Sequence, residues 1–350
     1  MSCSKPLPPG WTKRGVALTR KESELLQTWG CPREVLHALD YLAQTLPEGQ
    51  RQRDVQCLDV FCGEKAISTT WRRHNQKTEH YDVLERGEQN DILLTQGYLN
   101  LLSMGLRMEP DSLAVVGLPC PTFVWVNSGT HGRKPTQPYG NETKFDYIAR
   151  ANTITVRTVI FLMVLTCRGC YWFLEQPGSS QVRHFPELIL LRTLMETSGI
   201  ASYFQRFWMG SWGSPSPKLS MAIASTPYVS QLKKKLTQFE KAKLSSKGIT
   251  IVKQLPDGRK SVQGGPNLRK TQVYPVRFAE KLYAMHFALK AKHAFRLKAY
   301  VNAAAKTFQN RRKKIRVQKT IWKRGNLDEI SKMLKTKKAM GQYRPIHKFP

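Results

Sequence analysis

Short apolar runs separated by polar and Gly- or Pro-rich turns predict a chain in which strands and helices alternate. The runs at 55–60, 113–116 and 171–174 have the length and composition of strands buried on both faces of a sheet. Between them, apolar positions at helical spacing predict helices over about 64–73 and 148–167. This alternation indicates an α/β fold, with a mostly parallel sheet and helices on both faces.

The regions on either side of this pattern read differently. Thr19-Arg-Lys-Glu22 has the spacing of a capping box, which predicts the start of a helix. Leu255-Pro-Asp-Gly-Arg259 predicts the tip of a hairpin, and an amphipathic helix is expected from about 278 to 308. We therefore predict four units: an N-terminal helical segment (1–52), the α/β domain (53–228), a basic linker with a hairpin (229–276) and a basic, largely helical C-terminal extension (277–350).

Charge is the outlying feature of the composition. The 350 residues include 56 Lys and Arg against 25 Asp and Glu, a net charge of +31. Such an excess favours a polyanionic partner, most often nucleic acid and sometimes an anionic membrane surface. The longest apolar run, 158–166, is too short to span a bilayer, and no signal peptide is visible. We expect a soluble protein with a nucleic-acid partner and no membrane partner.

The seven cysteines are odd in number and scattered along the chain. This usage fits a reducing compartment, and so a nuclear or cytoplasmic location, better than a disulfide scaffold. Cys167-Arg-Gly-Cys170 has the spacing of a metal-binding pair, but no second Cys or His pair lies nearby to complete a tetrahedral site. We therefore interpret it as a helix end and expect no metal.

A stiff turn that carries a thiol follows the strand at 113–116. Pro119 fixes its own φ and lacks an N–H, so the backbone of Gly117-Leu118-Pro119-Cys120 is restrained where it leaves the sheet. Open α/β sheets keep reactive groups at the carboxyl ends of their strands, and amide dipoles at a loop–helix junction favour a thiolate. Cys120 is therefore a candidate nucleophile. The alternative is a small buried apolar residue without chemistry.

Two further strands also end in candidate residues. Glu175 stands at the end of the strand that starts at 171, as a candidate proton donor or as a cap for the next turn. After the first strand, Gly63 would let the backbone approach a ligand closely. Asp82 or Glu85 follows the second strand, where an acid often binds a ribose, although a solvated surface carboxylate is equally typical. Asp91 is either an N-cap or an adenine contact.

Three of these stretches, in this order, resemble motifs of the DNA (cytosine-5) methyltransferase family. They are Phe61-Cys62-Gly63, Pro119-Cys120-x-x-Phe123 and Glu175-Gln176-Pro177. The resemblance implies a class I S-adenosylmethionine-dependent fold, with a Rossmann-like sheet, over about 53–228. It implies that the Cys120 thiolate adds to C6 of a flipped cytosine while Glu175 binds the N3 edge of the ring, and that C5 then takes a methyl group. The residues implied to line S-adenosylmethionine are Phe61, Gly63, Asp82, Asp91 and Pro119.

The chain also departs from the family pattern. Glu64-Lys65-Ala66 follows Gly63 where the family has a second glycine, and Gln176 stands in place of Asn. Lys218 takes the position of an arginine-bearing strand and is predicted to act on the base carbonyl, as a point charge where arginine is a fork. The region after it is short for a target-recognition domain.

Basic residues outside these motifs are predicted to contact nucleic acid. Arg133 and Lys134 lie in a Gly-hinged loop that is either a phosphate-contacting loop or an exposed connector. The run Arg311-Arg312-Lys313-Lys314 is a phosphate-binding arm, a nuclear import patch or a solvated tail. Together the patterns favour a cytosine-C5 methyltransferase that acts on DNA, more than on RNA. The alternative is a non-catalytic nucleic-acid-binding protein that retains a degenerate methyltransferase fold.

Overall fold

The computed structural model of the chain describes residues 15–244, 249–254, 256, 258, 260–293 and 321–345. The basic run Arg311, Arg312, Lys313 and Lys314, predicted to bind phosphate, lies outside the described residues. Within them the strands are β1 (Val55–Val60), β2 (Thr78–Tyr81), β3 (Met108–Val116), β4 (Tyr171–Pro177), β5 (Tyr203–Trp208), β6 (Leu219–Ala224), β7 (Thr250–Gln254) and β8 (Lys260–Gly264).

The α-helices of the described residues interleave with these strands as predicted. They are α1 (Arg20–Thr28), α2 (Arg33–Thr45), α3 (Ala66–Arg73), α4 (Val83–Arg86), α5 (Thr95–Arg107), α6 (Ser128–His131), α7 (Asp146–Cys167), α8 (Pro186–Thr197), α9 (Gln238–Lys243), α10 (Val276–His293) and α11 (Asp328–Ala339). The capping box at Thr19 and the hairpin of β7 and β8 are confirmed. The helix expected from about 278 begins at Val276, and its predicted end near 308 lies outside the described residues.

A six-stranded sheet in the order β2-β1-β3-β4-β6-β5 forms the centre of the fold. β1 pairs in parallel with β2 and β3, β3 pairs in parallel with β4, and β6 runs antiparallel to both of its neighbours. The predicted mixed α/β class with a mostly parallel sheet is confirmed. In the register, Val60 is opposite Val116 and Val116 is opposite Leu174. Phe61, Gly117 and Glu175, which follow these three positions, therefore lie at the same level of the sheet, where β1 and β3 end and β4 continues beside β6.

The helix α7 packs through the core. It is long and apolar enough to cross a membrane by length and composition alone, but 72% of its most apolar 18-residue window is buried inside the protein. Arg157, in the middle of α7, is fully buried and donates to the carbonyls of Gly325, Asn326 and Ile92. A buried guanidinium bonded to backbone carbonyls ties separate segments together, here α7, the loop before α5 and the segment before α11.

Two helices of the predicted C-terminal extension are described, and both pack on the α/β core. Tyr283 of α10 meets Trp71 of α3 edge-to-face, with 5.3 Å between ring centroids. Ahead of α11, Trp322 donates its indole N–H to the carbonyl of Gly30 at 2.9 Å. The apolar core runs from the N-terminal helices through the sheet to these elements. A separate basic extension is therefore not confirmed for the part of 277–350 that the structure describes.

Candidate active site

The carboxyl ends of β1, β3 and β4 form one edge of the sheet, and the candidate residues lie along it. Because β2 lies on one side of β1 and β3 on the other, the order of strands reverses between β1 and β3. In open α/β sheets, a ligand-binding crevice forms outside the strand ends at such a point. Residues 61–65, after β1, are called the first turn, and residues 117–120, after β3, the second turn. The two turns border this crevice.

Gln176 of β4 holds the second turn in place. Its side-chain amide donates to the carbonyl of Leu118, and its Oε1 accepts a hydrogen bond from Ser180 Oγ at 2.9 Å. Gln176 is fully buried, so both polar ends of the amide are satisfied inside the protein. β4 thereby fixes a carbonyl two residues before Cys120. Gln176, which departs from the family pattern, therefore holds the second turn, which carries Cys120.

Glu175, also on β4, is surrounded by hydrogen-bond donors. Ser220 Oγ donates to its Oε1 at 2.7 Å, and Tyr274 Oη donates to its Oε2 at 3.3 Å. Lys218 Nζ lies 3.6 Å from Oε1. The residue is only 5% exposed, and a carboxylate removed from water needs such partners. Lys218, predicted to act on the base, thus lies in the same cleft as Glu175.

Cys120 is half-buried and lies close enough to Glu175 for the charge of the carboxylate to act on the thiol. Burial raises the pKa of Cys120, the carboxylate of Glu175 raises it further, and the Lys218 ammonium opposes both. The structure therefore brings together the two residues predicted as nucleophile and acid. In this conformation the surroundings favour the neutral thiol. Pro119 is exposed at the rim of the cleft.

The first turn is bound to its own neighbours. The N–H of Gly63 donates to Asp82 Oδ2 at 3.0 Å, and Asp82 Oδ1 accepts from the N–H of Leu84 at 2.9 Å, which caps α4. Phe61 and Lys65 have φ values of 58° and 56°, in the left-handed region that non-glycine residues seldom adopt. The turn is thus held in an unusual path by a carboxylate that sequence reasoning assigned to a ribose.

The other acids predicted near a cofactor also have partners within the protein. Glu85 pairs with Lys65 at 2.8 Å. Lys65 belongs to the stretch after Gly63 where the family pattern has a second glycine. Asp91 accepts a hydrogen bond from the N–H of Leu93 at 2.9 Å, and the N-cap of α5 is Leu94. Asp91 therefore does not cap that helix. Its proposed adenine contact stays a prediction.

Asp59, near the end of β1, is a buried acid that sequence reasoning did not single out. Its Oδ2 accepts the N–H of Ser68 at 3.0 Å, and its Oδ1 has no hydrogen-bond partner within the described residues. Burial raises the pKa of Asp59 to about 7. This carboxyl therefore changes its protonation near neutral pH directly beneath the first turn.

Tyr274, which precedes α10, reaches into the crevice between the two turns. A Cβ atom added to Gly117 would lie 3.0 Å from Tyr274 Oη and 3.2 Å from the carbonyl oxygen of Phe61. Only glycine permits this approach, because such distances are tighter than almost all contacts that real side chains make. Burial, then the Glu175 carboxylate, raises the pKa of Tyr274 well above its usual value. The phenol is therefore a neutral group over the switch point.

S-adenosylmethionine, the cofactor implied by the resemblance, would have to enter this same crevice. Around Gly63 there is open space, since nothing lies within 4 Å of an added Cβ. At the other end, Tyr274 packs against Gly117, and the Gly63 N–H that faces the crevice is engaged by Asp82. In this conformation, a cofactor that uses the Gly63 N–H would have to displace Asp82, and one that approaches Gly117 would have to displace Tyr274.

Arg133 was predicted to contact phosphate, and the structure contradicts this. Its side chain is 2% exposed and donates to the Thr122 carbonyl at 2.7 Å, to Pro138 and to Asn152 Oδ1. The guanidinium also lies 4.0 Å from the ring centroid of Phe123. Sequence alone cannot separate a buried guanidinium from an exposed one in a Gly-rich loop. Arg133 braces the chain just after Cys120, and its guanidinium is engaged by these internal hydrogen bonds.

Lys134, the next residue, is exposed and lines an open cleft of about 620 Å³. Trp125 stands in the same cleft with 67% of its surface exposed, and Gln181 forms part of the wall. The cleft lies next to the segment that follows the second turn, because the N–H of Gln181 donates to the carbonyl of Phe123. A lysine beside an exposed indole is the arrangement that binds single-stranded nucleic acid by charge and stacking.

Two partners of Glu175 were missed by sequence reasoning. Ser220 lies on β6, two residues after Lys218, which precedes the strand, so its closeness in the chain to a predicted site residue was a signal that could have found it. Tyr274 comes from a linker almost 100 residues beyond Glu175, and no local pattern points to that contact. Among the described residues, no group of three or more His, Cys, Asp or Glu is arranged to hold a metal ion.

Comparison with known proteins adds no assignment to this geometry. No protein-family model, curated protein or solved structure matches the chain. Any statement about function therefore depends on the residues of the cleft themselves.

Proposed function

We propose that the protein is a class I S-adenosylmethionine-dependent methyltransferase that methylates C5 of cytosine in nucleic acid, in DNA more than in RNA. The observation that carries the proposal is the meeting of Cys120 and Glu175 at the ends of neighbouring parallel strands, with Lys218 beside them. The two residues lie 55 positions apart in the chain, and chance seldom brings a nucleophile and an acid from two separate motifs into one cleft.

The chemistry assigned to the chain follows from these side chains. Cys120 Sγ, as thiolate, would add to C6 of the ring and shift electron density onto C5, which is otherwise a poor nucleophile. Glu175 would hold the edge of the ring at N3, and Lys218 would sit at the base carbonyl. C5 would then take the methyl group, the C5 proton would pass to solvent, and elimination would return the Cys120 thiolate and the unsaturated ring. S-adenosylmethionine, when bound, supplies an electrophilic methyl group.

Two features support nucleic acid as the carrier of the ring. The net charge of +31 favours a polyanion, and the cleft with Trp125 and Lys134 lies on the segment that follows the second turn. A base has to leave its stack before a thiol can reach C6, so single-stranded flanks need a place to bind. An exposed indole with a nearby ammonium suits that purpose.

A transfer assay with labelled S-adenosylmethionine across DNA and RNA substrates tests the proposal. Wild type and Cys31→Ser should transfer label to cytosine, because Cys31 is a buried thiol remote from the cleft. Cys120→Ser should transfer none while it keeps close to normal nucleic-acid affinity. Label on a base other than cytosine, or undiminished transfer by Cys120→Ser, would contradict the assignment.

A second candidate is a non-catalytic nucleic-acid-binding protein with a degenerate methyltransferase fold. It is favoured by the first turn, where Gly63 is bonded to Asp82 and Lys65 to Glu85. Calorimetry separates the two: heat on addition of S-adenosylmethionine to the folded protein supports the enzyme. Absence of heat, together with retained oligonucleotide binding, supports the binding protein.

A further inference from the structure

We propose that Tyr274 closes the Cys120–Glu175 cleft, so that a pyrimidine ring enters only when this side chain withdraws. The phenol donates to Glu175 Oε2 at 3.3 Å, on the carboxylate that would otherwise bind the edge of the ring. One oxygen of Glu175 is occupied by Ser220, and Tyr274 takes the other. The inference rests on the proposed function only in naming the ring that displaces the tyrosine.

The surroundings of Tyr274 define a closed state. Its hydroxyl would lie only 3.0 Å from a Cβ placed on Gly117, closer than ordinary van der Waals contact, and it is near enough for the thiol of Cys120 to influence its ionisation. The side chain thus touches the second turn, the acid and the space before the nucleophile together. A ring that binds Glu175 at Oε2 would therefore have to take the place of the phenol, since packed atoms cannot overlap.

The contact that holds the tyrosine in the cleft is weak in geometry. At 3.3 Å the oxygen–oxygen separation exceeds the range of 2.5–3.0 Å usual for hydroxyl donors. On the other side, the ring packs at a tilt against Phe278, with 5.3 Å between centroids, and Phe278 stacks on Phe207. The ring of Tyr274 is therefore anchored in the core through Phe278, while its hydroxyl is held by the long hydrogen bond to Glu175.

The segment that bears Tyr274 also carries the means to respond to a polyanion. Gln272 and Val273, directly before it, are exposed. Arg269, Lys270 and Arg277 are exposed on either side of it. No acidic side chain lies between 265 and 277. Phosphates attracted by these cations would therefore bind next to Tyr274.

Alkylation of Cys120 by iodoacetamide, followed by peptide mapping across a range of pH, measures the closure without any methyl donor. Access governs the rate at high pH, where the thiol is fully ionised, whereas a change of thiol pKa moves only the midpoint of the profile. Tyr274→Ala should raise the high-pH rate about tenfold, because reactivity scales with the open fraction. Tyr274→Phe keeps the ring and loses the donor, and should give a smaller increase. Tyr283→Phe, on α10 and outside the cleft, is the matched control and should match wild type.

The buried thiols Cys57 and Cys167 report the integrity of the fold in the same experiment, since both are fully buried. If Cys57 or Cys167 reacts in Tyr274→Ala, the fold of that variant is disturbed and Tyr274→Phe is used in its place. A rate of Cys120 alkylation above wild type in Tyr274→Phe supports the closure, and an equal rate overturns it. Equal Cys120 rates in wild type and in an intact Tyr274→Ala also overturn it. Faster alkylation of Tyr274→Ala, together with a wild type that transfers no methyl group to any substrate, would retain the closure and remove the proposed function.

Discussion

The first and second turns leave neighbouring parallel strands at the same level of the sheet, yet they use their polar groups differently. In the first turn, Gly63 is bonded to Asp82 and Lys65 is paired with Glu85, so the groups satisfy one another. The second turn is held by Gln176, and its Cys120 lies within electrostatic range of the Glu175 carboxylate. The contrast locates reactive chemistry at the second turn and makes the first turn the place where cofactor binding is in question.

The two turns also differ in what a ligand would have to displace. At the second turn, a ligand would have to displace the aromatic side chain of Tyr274, whose hydrogen bond to Glu175 is long. At the first turn, a ligand that needs the Gly63 N–H would have to replace a carboxylate that also caps α4. Conformational change at the second turn is therefore the smaller demand.

The largest expected effect concerns Asp59, beneath the first turn. Its pKa rises from 3.8 to about 7 on folding, so the folded state holds a proton that the unfolded state has lost between these pH values. Stability is thus lost as the pH rises from about 4 to 7, by up to roughly 4 kcal/mol. Asp59→Asn has no such proton, and its advantage over wild type should grow across this window. Urea unfolding at several pH values measures it, and a constant difference would refute the burial argument.

Arg133 tests whether the segment just after the second turn is stabilised by a buried guanidinium. Arg133→Ala should lower the free energy of unfolding by roughly 2–4 kcal/mol, because Thr122 and Asn152 lose a buried charged donor. Lys134→Ala is the matched control on an exposed neighbour and should leave stability within about 0.5 kcal/mol. An Arg133→Ala protein of normal stability whose nucleic-acid affinity depends less steeply on salt would restore the phosphate contact.

Trp125 tests whether the second turn continues into a nucleic-acid surface. Trp125→Ala should weaken binding of single-stranded oligonucleotides by roughly 1–3 kcal/mol, the value of one stacked base. Phe239→Ala is the control, since Phe239 is exposed to the same extent, 68% against 67%, and lies outside the cleft. Equal losses in both variants, by fluorescence anisotropy at fixed salt, would count against a specific stacking site.

The smallest expected effect is that of Glu175→Gln on the rate of Cys120 alkylation. The Glu175 carboxylate raises the pKa of Cys120, so Glu175→Gln should lower that pKa and leave Lys218 to favour the thiolate. Alkylation of Cys120 at neutral pH should then be faster, with its midpoint at lower pH. A midpoint that stays in place would mean that the two groups do not interact.

Sequence reasoning predicted β1, β3 and β4, the helices α3 and α7 and the two turns, because apolar periodicity and Pro or Gly breaks are local signals; it did not predict β5 and β6. Its success with Cys120 and Glu175 as neighbours comes from topology, since parallel strands bring their carboxyl ends to one edge. It assigned Arg133 to solvent, where the structure buries it, because a basic loop reads the same in both states.

The part of the site that sequence could not supply comes from distant segments. Tyr274 approaches Glu175 from a linker, and its entry depends on the missing side chain of Gly117 and on the packing of Phe278. The binding of Lys65 to Glu85 likewise depends on the left-handed path of the first turn. Such contacts are set by tertiary packing and leave no periodic pattern in the chain.

Covalent trapping measures the nucleophilic role of Cys120 most directly. An oligonucleotide with 5-fluorocytosine, incubated with S-adenosylmethionine, should form a stable adduct with wild type, and peptide mapping should locate the bond at Cys120. Cys120→Ser should form none. An adduct at another cysteine, or none with a wild-type protein that binds both the oligonucleotide and S-adenosylmethionine, would contradict the account.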